Sequence, residues 1–371
     1  MADSDEEWMT RVLAIARRGA GRVSPNPMVG ALLVRAGRIV GRGYHRKAGG
    51  PHAEIYAIRE AGEQARGGTL FLNLEPCCHS NKRTPPCTEA ILGSGIRKVV
   101  VAMRDPNPLV NGKGLRALRR NGIEVREGVL RKEAGELNEI FSKYIRTGFP
   151  FVALKIAATL DGKIALRSGR SRWITGAKAR RFGHLLRSRY DAILVGKGTV
   201  LADNPKLTAR TPGKSRQNPV RIILDEDLAL PLASRVFSLR KGDQVIVAST
   251  KNARSLKKKA LERKGVTVLT FKGKKGRVPL TSLLEKVGKL GISSVLIEGG
   301  SEVNGSAVRE RVIDKVYYLV AMKLMGGSRS VPAIGGVSPK SLTNLPCLAN
   351  IKTRKFGEDL LIEGYLKNAP G

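Results

Sequence analysis

The chain has 371 residues, too many for one hydrophobic core, so its length predicts two domains. Hydrophobic residues make up 42% of it, which is enough for folded cores, and no apolar run is long enough to predict a membrane-spanning helix. The 67 basic and 31 acidic residues give a formal net charge of +36, which favours anionic partners, and only four cysteines exclude a disulfide framework.

The first elements in the chain are a helix and a hairpin. Residues 1–8 are acidic and lack the apolar core of a signal peptide, so together with the few cysteines they lead us to expect a cytoplasmic protein. An amphipathic helix is expected at 6–18, followed by a turn-rich segment at 24–30. A strand at 31–34 and the turn signal at 35–38 predict a hairpin.

The next region combines one imidazole, two thiols and one carboxylate. His52 and Glu54 are separated by a single residue, and Cys77 and Cys87 each follow a proline. A catalytic zinc takes three protein ligands and keeps one position open, so His52, Cys77 and Cys87 are the candidate ligands. Glu54 is too close to His52 to leave the site and remains free to transfer protons. The set predicts a zinc-dependent deaminase.

The spacing of the thiols departs from the short Cys-x-x-Cys of the general deaminase signature. Residues 78–86 are polar and proline-rich and cannot continue a helix, so we expect Cys87 to begin one, where the pKa of a thiol is lowered. Cys78 is an alternative ligand to Cys77, although the preceding Pro76 favours Cys77. Cys347 has no Cys or His near it in sequence, and we expect an ordinary buried thiol.

The alternation of helices and strands predicts two α/β units. Helices at 52–62 and 87–94 and strands at 69–74 and 98–103 predict a three-layer unit with metal ligands at two helix starts. A turn at 147–150 precedes a new strand at 151–157, so we place the domains at 1–147 and 148–371. Six further strands predict an α/β domain of the nucleotide-binding kind, and they are expected at 192–195, 220–224, 244–248, 266–271, 294–298 and 315–320.

Two glycine-containing turns in the second unit are candidate phosphate sites. The turn at 196–199 lacks the third glycine of the dinucleotide-binding fingerprint. At 299–301 a buried strand enters two glycines and then a helix, whose first backbone amides can hold a phosphate. An ordinary strand-to-helix turn explains this segment as well.

The most basic stretch, residues 251–277, contains one aromatic residue, Phe271. It therefore lacks the stacking platform that is typical of proteins that bind single-stranded nucleic acid. We interpret this stretch as a solvated helix and loop and expect no specific nucleic-acid partner. The positive charge also favours phosphorylated small molecules.

Over nearly its whole length the sequence resembles the bifunctional deaminase/reductase family of riboflavin biosynthesis. The matching segments are 25–30, 52–54, 74–77, 84–87 and 103–108 in the first half and 160–163, 171–175, 198–203 and 297–300 in the second. The resemblance implies a cytidine-deaminase-like three-layer domain followed by a dihydrofolate-reductase-like α/β domain. It implies zinc-dependent deamination of 2,5-diamino-6-ribosylamino-4(3H)-pyrimidinone 5′-phosphate, and then NADPH-dependent reduction of the ribosyl group to give 5-amino-6-(5-phosphoribitylamino)uracil.

The resemblance also implies which residues contact the ligands. In the deaminase, the matching substrate positions are Asn26, His79, Arg83, Asp105 and Asn107. In the reductase they are Ser171, Arg187, Lys206, Arg210 and Glu298, and the matching cofactor positions are Ala157, Trp173, Thr199, Asp203, Gly300 and Ser301.

Several of these residues have other interpretations. Asn26 and His79 can also be interpreted as ordinary turn and loop residues. Arg187 can be interpreted as a solvated cation on a helix, and Trp173 as a residue of the hydrophobic core. Lys155 and Glu298 are the candidates to polarise or protonate an open-chain imine while the nicotinamide delivers hydride.

Two departures from the family pattern leave alternatives open. The loop between the thiols is one residue longer than is common, which leaves the alignment of His79 and Arg83 open. Glu226 stands where the family often has a hydroxyl residue, and a carboxylate there repels the extra phosphate of NADPH, so NADH is the alternative cofactor.

Two other functions are compatible with parts of the sequence. One is a monofunctional enzyme with a noncatalytic second domain, and the other is a nucleic-acid deaminase. For the leading function we expect a homo-oligomer, either dimer or tetramer, that acts on a phosphorylated pyrimidine and has no membrane partner.

Overall fold

A computed structural model describes residues 4–79, 85–210, 218–250, 255–274 and 276–367. The chain forms two compact units, Met1–Gly148 and Phe149–Gly371. No helix within the described ranges has the length and apolar character needed to cross a bilayer.

The first unit alternates helices with strands. Its elements are α1 (Asp5–Ala16), β1 (Gly30–Arg35), β2 (Arg38–Tyr44), α2 (Ala53–Ala61), β3 (Thr69–Leu72), α3 (Cys87–Gly93), β4 (Lys98–Val101), α4 (Lys113–Arg120), β5 (Glu124–Glu127), α5 (Arg131–Leu137) and α6 (Glu139–Thr147).

These strands form one sheet in the order β2-β1-β3-β4-β5. Strand β1 is antiparallel to both β2 and β3, whereas β3, β4 and β5 are parallel. The predicted hairpin turn between β1 and β2 is confirmed. Ala36 and Gly37 adopt φ values of 47° and 71°, as a tight turn between twisted strands requires.

The sheet of the first unit has a helical layer on each face. Along β1, Ala31 and Leu33 pack in one core cluster with residues of α2, α3 and α4. The alternate residues Leu32 and Val34 pack in a second cluster with residues of α1 and α5. The predicted three-layer architecture is therefore confirmed.

The second unit is built on a larger sheet. Its elements are β6 (Phe151–Thr159), β7 (Lys163–Ala165), α7 (Ala177–Arg187), β8 (Ala192–Gly196), α8 (Lys197–Asp203), β9 (Val220–Leu224), β10 (Val245–Thr250), α9 (Ser255–Arg263), β11 (Thr267–Phe271), α10 (Leu280–Lys289), β12 (Ser294–Ile297), α11 (Ser301–Arg309), β13 (Lys315–Ala321), β14 (Val331–Pro332), β15 (Leu348–Phe356) and β16 (Asp359–Leu366).

The strand order of the large sheet is β11-β10-β9-β8-β12-β6-β13-β16-β15. The first seven strands in this order are mutually parallel. Strand β16 is antiparallel to β13, and β15 is antiparallel to β16. The carboxyl ends of the parallel strands therefore lie along one edge, where α/β proteins bind their ligands. Strands β7 and β14 form a separate small sheet.

Two features of the second unit bear on the sequence analysis. The prediction that Cys347 is buried is wrong, because its side chain is exposed in the segment before β15. In the basic stretch, α9 is confirmed as a largely solvated helix, and Phe271 is only 9% exposed, so its ring packs in the core instead of forming a stacking surface.

Candidate active sites

The three candidate metal ligands lie together in the first unit. His52 immediately precedes α2, Cys87 is the first residue of α3, and Cys77 lies in the segment after β3. The His52 Nδ1 atom is 3.2 Å from Cys87 Sγ and 3.5 Å from Cys77 Sγ. Two ligand atoms on a tetrahedral zinc with bonds of about 2.0–2.3 Å are separated by roughly 3.4–3.8 Å. One of the two distances falls within this range and the other lies just below it, so the donor set fits zinc after a small adjustment of side chains.

Glu54 lies in the first turn of α2, beside these ligands. The residue is 3% exposed, and its Oε2 atom is buried without a hydrogen-bond partner among the described residues. Burial, followed by the charge of the Cys77 sulfur, raises the pKa of Glu54 above its ordinary value. An unpartnered carboxylate oxygen of this kind can accept and return a proton.

Asn26 is held by a histidine that the sequence analysis missed. The Nδ1 atom of His45 lies 3.1 Å from the carbonyl oxygen of Pro51, which can only accept a hydrogen bond, so Nδ1 carries the proton. The Nε2 atom of His45 therefore accepts from the Asn26 side-chain amide, 3.3 Å away. The His45 ring also lies edge-on to that of His52, at 5.5 Å between centroids. A lone histidine seven positions before His52 was the available signal.

Asp105 and Asn107 form consecutive side-chain-to-backbone turns. Asp105 Oδ1 accepts from the Asn107 amide at 2.8 Å, and Asn107 Oδ1 accepts from the Leu109 amide at 3.0 Å. Burial, with further contributions from Glu75 and Cys77, raises the pKa of Asp105 to about 7. Asp105 therefore lies within electrostatic range of the metal ligands.

Glu75 anchors this segment. The sequence analysis did not identify it as a residue that supports the site. Its carboxylate is 3% exposed and accepts four backbone N–H groups at 2.8–3.3 Å. The donors are Asp105, Gly112, Gly114 and Leu115. Glu75 thereby ties the turn that carries Asp105 to the strand end that leads into Cys77.

The two remaining deaminase candidates lie in the loop between the thiols. His79 is partly buried, and its Nδ1 atom has no hydrogen-bond partner within the described ranges. Arg83 lies outside the described residues.

In the second unit, three charged candidates converge at the carboxyl edge of the sheet. Glu298 follows β12 and receives two hydrogen bonds from Arg187, Nε to Oε1 at 2.7 Å and Nη2 to Oε2 at 2.9 Å. The Nζ atom of Lys155 lies 3.6 Å from Glu298 Oε2. Burial opposes ionisation of Glu298, but the charges of Arg187 and Lys155 outweigh it and hold the pKa at about 2. Arg187 is thus a paired, largely buried group and not a solvated cation.

The loop that carries Lys206 and Arg210 contacts the same helix. The Nη1 atom of Arg187 lies 3.5 Å from the carbonyl oxygen of Thr208, between these two exposed cations. Burial, followed by the charges of Arg187 and Arg210, lowers the pKa of His184 in α7. Arg210 therefore lies near the Arg187–Glu298 pair, and His184 is a neighbour that the sequence analysis did not identify.

Ser171, Asp203 and Trp173 lie in a second group. Ser171 Oγ donates to Asp203 Oδ1 at 3.4 Å, and Arg172 Nη2 donates to the Asp203 carbonyl oxygen at 2.8 Å. The Trp173 ring is 63% exposed and is covered on one face by the Arg180 guanidinium, 4.3 Å from its centroid. The core interpretation of Trp173 is therefore wrong.

The remaining cofactor candidates lie at strand ends and helix starts. Lys155 and Ala157 share one face of β6, because side chains two positions apart in a strand point the same way.

Gly300 caps α11 without a side-chain hydrogen bond, which leaves the first amides of that helix available to a phosphate. A Cβ atom at Gly300 would lie 3.4 Å from Thr199 Oγ1, so α8 and α11 begin side by side. Ser301 Oγ is buried at the same turn. These residues fit a dinucleotide cofactor.

Comparison with known proteins agrees with this geometry. Residues 2–103 match the cytidine and deoxycytidylate deaminase zinc-binding region, and residues 150–362 match the RibD C-terminal domain. The riboflavin biosynthesis protein RibD of Aquifex aeolicus is 44% identical over 96% of this chain and 97% of its own length. The chain belongs to the RibD family. It is a deaminase and a reductase of riboflavin biosynthesis, with zinc and NADPH as its cofactors.

Other RibD proteins agree in sequence and in structure. The Escherichia coli protein is 37% identical over 96% of this chain and 98% of its own length. A structure of Acinetobacter baumannii RibD covers 98% of this chain and 99% of its own, with 36% identity and a TM-score of 0.88. A diaminohydroxyphosphoribosylaminopyrimidine deaminase/5-amino-6-(5-phosphoribosylamino)uracil reductase from Thermotoga maritima has the same coverage, with 39% identity and a TM-score of 0.84.

Proposed function

We propose that the first unit hydrolyses the ring amine of 2,5-diamino-6-ribosylamino-4(3H)-pyrimidinone 5′-phosphate and that the second unit reduces the ribosyl group of the deaminated product. The observation that carries this proposal is the buried Glu54 carboxylate beside the His52–Cys77–Cys87 cluster. The name of the Thermotoga maritima relative, which states both activities, supports the choice of substrate.

In the deaminase, His52, Cys77 and Cys87 would hold the zinc ion. When bound, zinc supplies a Lewis acid that makes a water molecule acidic enough to attack a ring carbon near neutral pH. Glu54 takes a proton at its buried Oε2 and returns it to the departing nitrogen. Asn26, fixed by His45, and Asp105, fixed through Glu75, hold the ring and ribose in place. His79 and Arg83 are proposed to contact the phosphate end.

In the reductase, NADPH, when bound, would supply the hydride for reduction of the sugar C1 carbon. Lys155 donates a proton to, or polarises, the open-chain imine, and Glu298 holds the Lys155 ammonium and the Arg187 guanidinium in place. Lys206 and Arg210 offer positive charge to the substrate phosphate, and Ser171 contacts the substrate. Ala157, Trp173, Thr199, Asp203, Gly300 and Ser301 are proposed to line the cofactor site.

A product assay tests both activities. The zinc-loaded full chain is incubated with the diaminopyrimidine ribotide, with and without NADPH, and products are identified by mass. Without NADPH we expect one amine replaced by oxygen, and with NADPH we expect two further hydrogens.

Two variants separate the activities. Glu54→Gln should lower ammonia release by roughly 10²–10⁴-fold and spare the reduction of deaminated substrate, and Lys155→Met should do the reverse. A wild-type protein with only one of the two activities would instead support the monofunctional alternative.

The assembly and the compartment are separate proposals. We propose a homo-oligomer, dimer or tetramer, in which the edge strand β15 takes part. In support, β15 pairs on one side with β16, and Val337 and Leu342, in the segment of chain that precedes β15, are 87% and 84% exposed. Sedimentation velocity tests this, and a monomer at micromolar concentration would refute it. The low number of cysteines, four in the whole sequence, supports a cytoplasmic location, which fractionation of the source cells would test.

A further inference from the structure

Residues 160–163, which match the family, have no role in the reaction proposed above. They follow β6, and the parallel register of β6 with β13 places Thr159 opposite Ala321. Residues 160–163 and the segment after β13 therefore leave the sheet side by side, at the edge where α/β proteins bind their ligands. The backbones of the two segments are joined directly, because the Leu160 amide donates to the Lys323 carbonyl oxygen at 2.9 Å.

The Asp161 side chain holds the segment that follows β13. Its Oδ1 atom accepts from the Met325 amide at 3.0 Å, and its Oδ2 atom accepts from the Gly326 amide at 2.7 Å. The Thr159 hydroxyl, followed by these two amides, lowers the pKa of Asp161 to about 2. The carboxylate is therefore ionised at neutral pH, and each of its oxygens fixes one backbone amide.

The far end of the same segment, residues 322–335, contacts the start of α11. Within the segment, β14 pairs with β7. The Gly335 amide then donates to the Ser301 carbonyl oxygen at 3.0 Å, and the Gly335 backbone comes so close to α11 that it leaves no room for a Cβ atom at Gly305. The segment is thus fixed at Asp161 and again at the helix start where the cofactor candidates Gly300 and Ser301 lie.

Lys323 connects this segment to Trp173. Its Nζ atom donates to the Trp173 carbonyl oxygen at 3.3 Å. The Arg180 guanidinium lies 4.3 Å from the centroid of the Trp173 ring, and Trp173 remains 63% exposed. One cation thus holds the backbone of this tryptophan and another holds its ring, while the residue stays accessible to a ligand. Segment 322–335 therefore connects two parts of the proposed cofactor site, Trp173 and the start of α11.

We propose that Asp161 and Lys323 are positioning residues of the reductase: Asp161 fixes the segment after β13, and Lys323 on that segment holds Trp173 in place for NADPH. The proposal rests on the reductase function and on the assignment of Trp173 to the cofactor site, both proposed above. Asp161 and Lys323 act through Trp173 and not through contacts with the reacting atoms. Their loss should therefore weaken the use of NADPH and spare the use of the ribotide, whose proposed contacts are other residues.

Steady-state kinetics of the full chain with NADPH and deaminated substrate test this proposal. Lys323→Met should raise the KM for NADPH roughly fivefold, as expected for the loss of one charge-assisted hydrogen bond near the surface, and Lys323→Arg should restore it. Asp161→Asn keeps only one of the two acceptor oxygens and should raise this KM by a similar factor. The KM for the ribotide and kcat should stay within about twofold in all three variants.

A double-mutant cycle distinguishes positioning of Trp173 from a general loss of stability. Trp173→Ala alone should raise the KM for NADPH. Adding Lys323→Met to Trp173→Ala should have no further effect on this KM, because the ring that Lys323 positions is then absent. Additive effects of the two substitutions would overturn the proposal.

Lys289→Met is the matched control, because Lys289 is another exposed lysine of the second unit and forms a 2.7 Å pair with Glu285 on α10. It should change neither KM. A rise in the KM for NADPH in Lys323→Met no larger than in this control would also overturn the proposal. An active reductase whose KM for NADPH is unaffected by Trp173→Ala would refute the positioning role alone. A wild-type protein that does not oxidise NADPH with deaminated substrate would refute the reductase function itself.

Discussion

Two buried glutamates in this chain have opposite electrostatic surroundings. Burial raises the pKa of Glu54, whose Oε2 atom has no partner among the described residues. Burial also acts on Glu298, but two cations outweigh it and hold that pKa at about 2. Glu54 is thus suited to proton transfer, whereas Glu298 stays ionised and orients Lys155 and Arg187.

The depressed pKa of Glu298 makes stability depend on pH. A carboxyl group with a lowered folded-state pKa stabilises the protein above its unfolded value of 4.5, and this contribution is lost as the pH falls towards about 2. At pH 6, Glu298→Gln should lower the free energy of unfolding of the second unit by roughly 3 kcal/mol, on the order expected for such a shift. The difference from wild type should shrink between pH 4.5 and 2 in chemical denaturation experiments. A difference that stays constant over this range would contradict the assignment.

At the residue scale, the sequence predicted the groups that do chemistry better than those that support them. His52, Cys77, Cys87 and Glu54 could be predicted because a zinc site needs particular residue types at short spacing. Glu75 could not, because its four partners lie 30–40 positions further along the chain. Arg187 was ambiguous for the same reason, since its partner Glu298 lies 111 positions away.

At the scale of elements, Glu75 fixes the segment that links β4 to α4. Four buried amides from residues 105–115 end on its carboxylate, and without it they lack their acceptor. The geometry of Asp105 and the position of the metal-binding segment therefore depend on one side chain that does no chemistry itself.

Removing this acceptor should destabilise the first unit strongly. We expect Glu75→Ala to lower its free energy of unfolding by about 3–5 kcal/mol. Trp8 is buried in the first unit, so its fluorescence in a Trp173→Phe background can report urea unfolding of that unit. Glu127→Ala is the control, since Glu127 pairs with Arg104 and Arg119 near the surface and should cost less than about 1 kcal/mol. Similar losses in both variants would show that the four amides find other acceptors.

The strands of the second unit differed in how clearly the sequence predicted them. The parallel strands β8, β9, β10, β12 and β13 are covered on both faces and appear as short apolar runs, which made them predictable. Strands β15 and β16 were not predicted, because β15 is an edge strand with mostly exposed residues and lacks that signal. Their antiparallel addition to β13 is a tertiary feature that local patterns do not encode.

At the scale of the whole molecule, the chain combines two units with separate cofactors. The candidate zinc ligands all lie in Met1–Gly148, and the candidate NADPH residues all lie in Phe149–Gly371. The large excess of basic residues favours the anionic substrate and cofactor in both units, and its effect should weaken with salt. Composition predicted this preference for anions, but it did not identify which anions bind.

Loss of zinc should therefore affect one activity only. Treatment with a chelator should abolish ammonia release and lower the unfolding temperature of the first unit, because the metal binds the folded state. NADPH oxidation with already deaminated substrate should change by less than about twofold. Parallel loss of both activities would show that the second unit also depends on the metal. Readdition of zinc should restore ammonia release.

The most direct test of the central claim is the zinc content of the folded protein and its cysteine variants. Plasma emission spectrometry should find one zinc per chain in the wild type and in Cys78→Ser, and markedly less in Cys77→Ser and Cys87→Ser after dialysis. A wild-type protein without zinc, or loss of zinc in Cys78→Ser with retention in Cys77→Ser, would contradict the site described here.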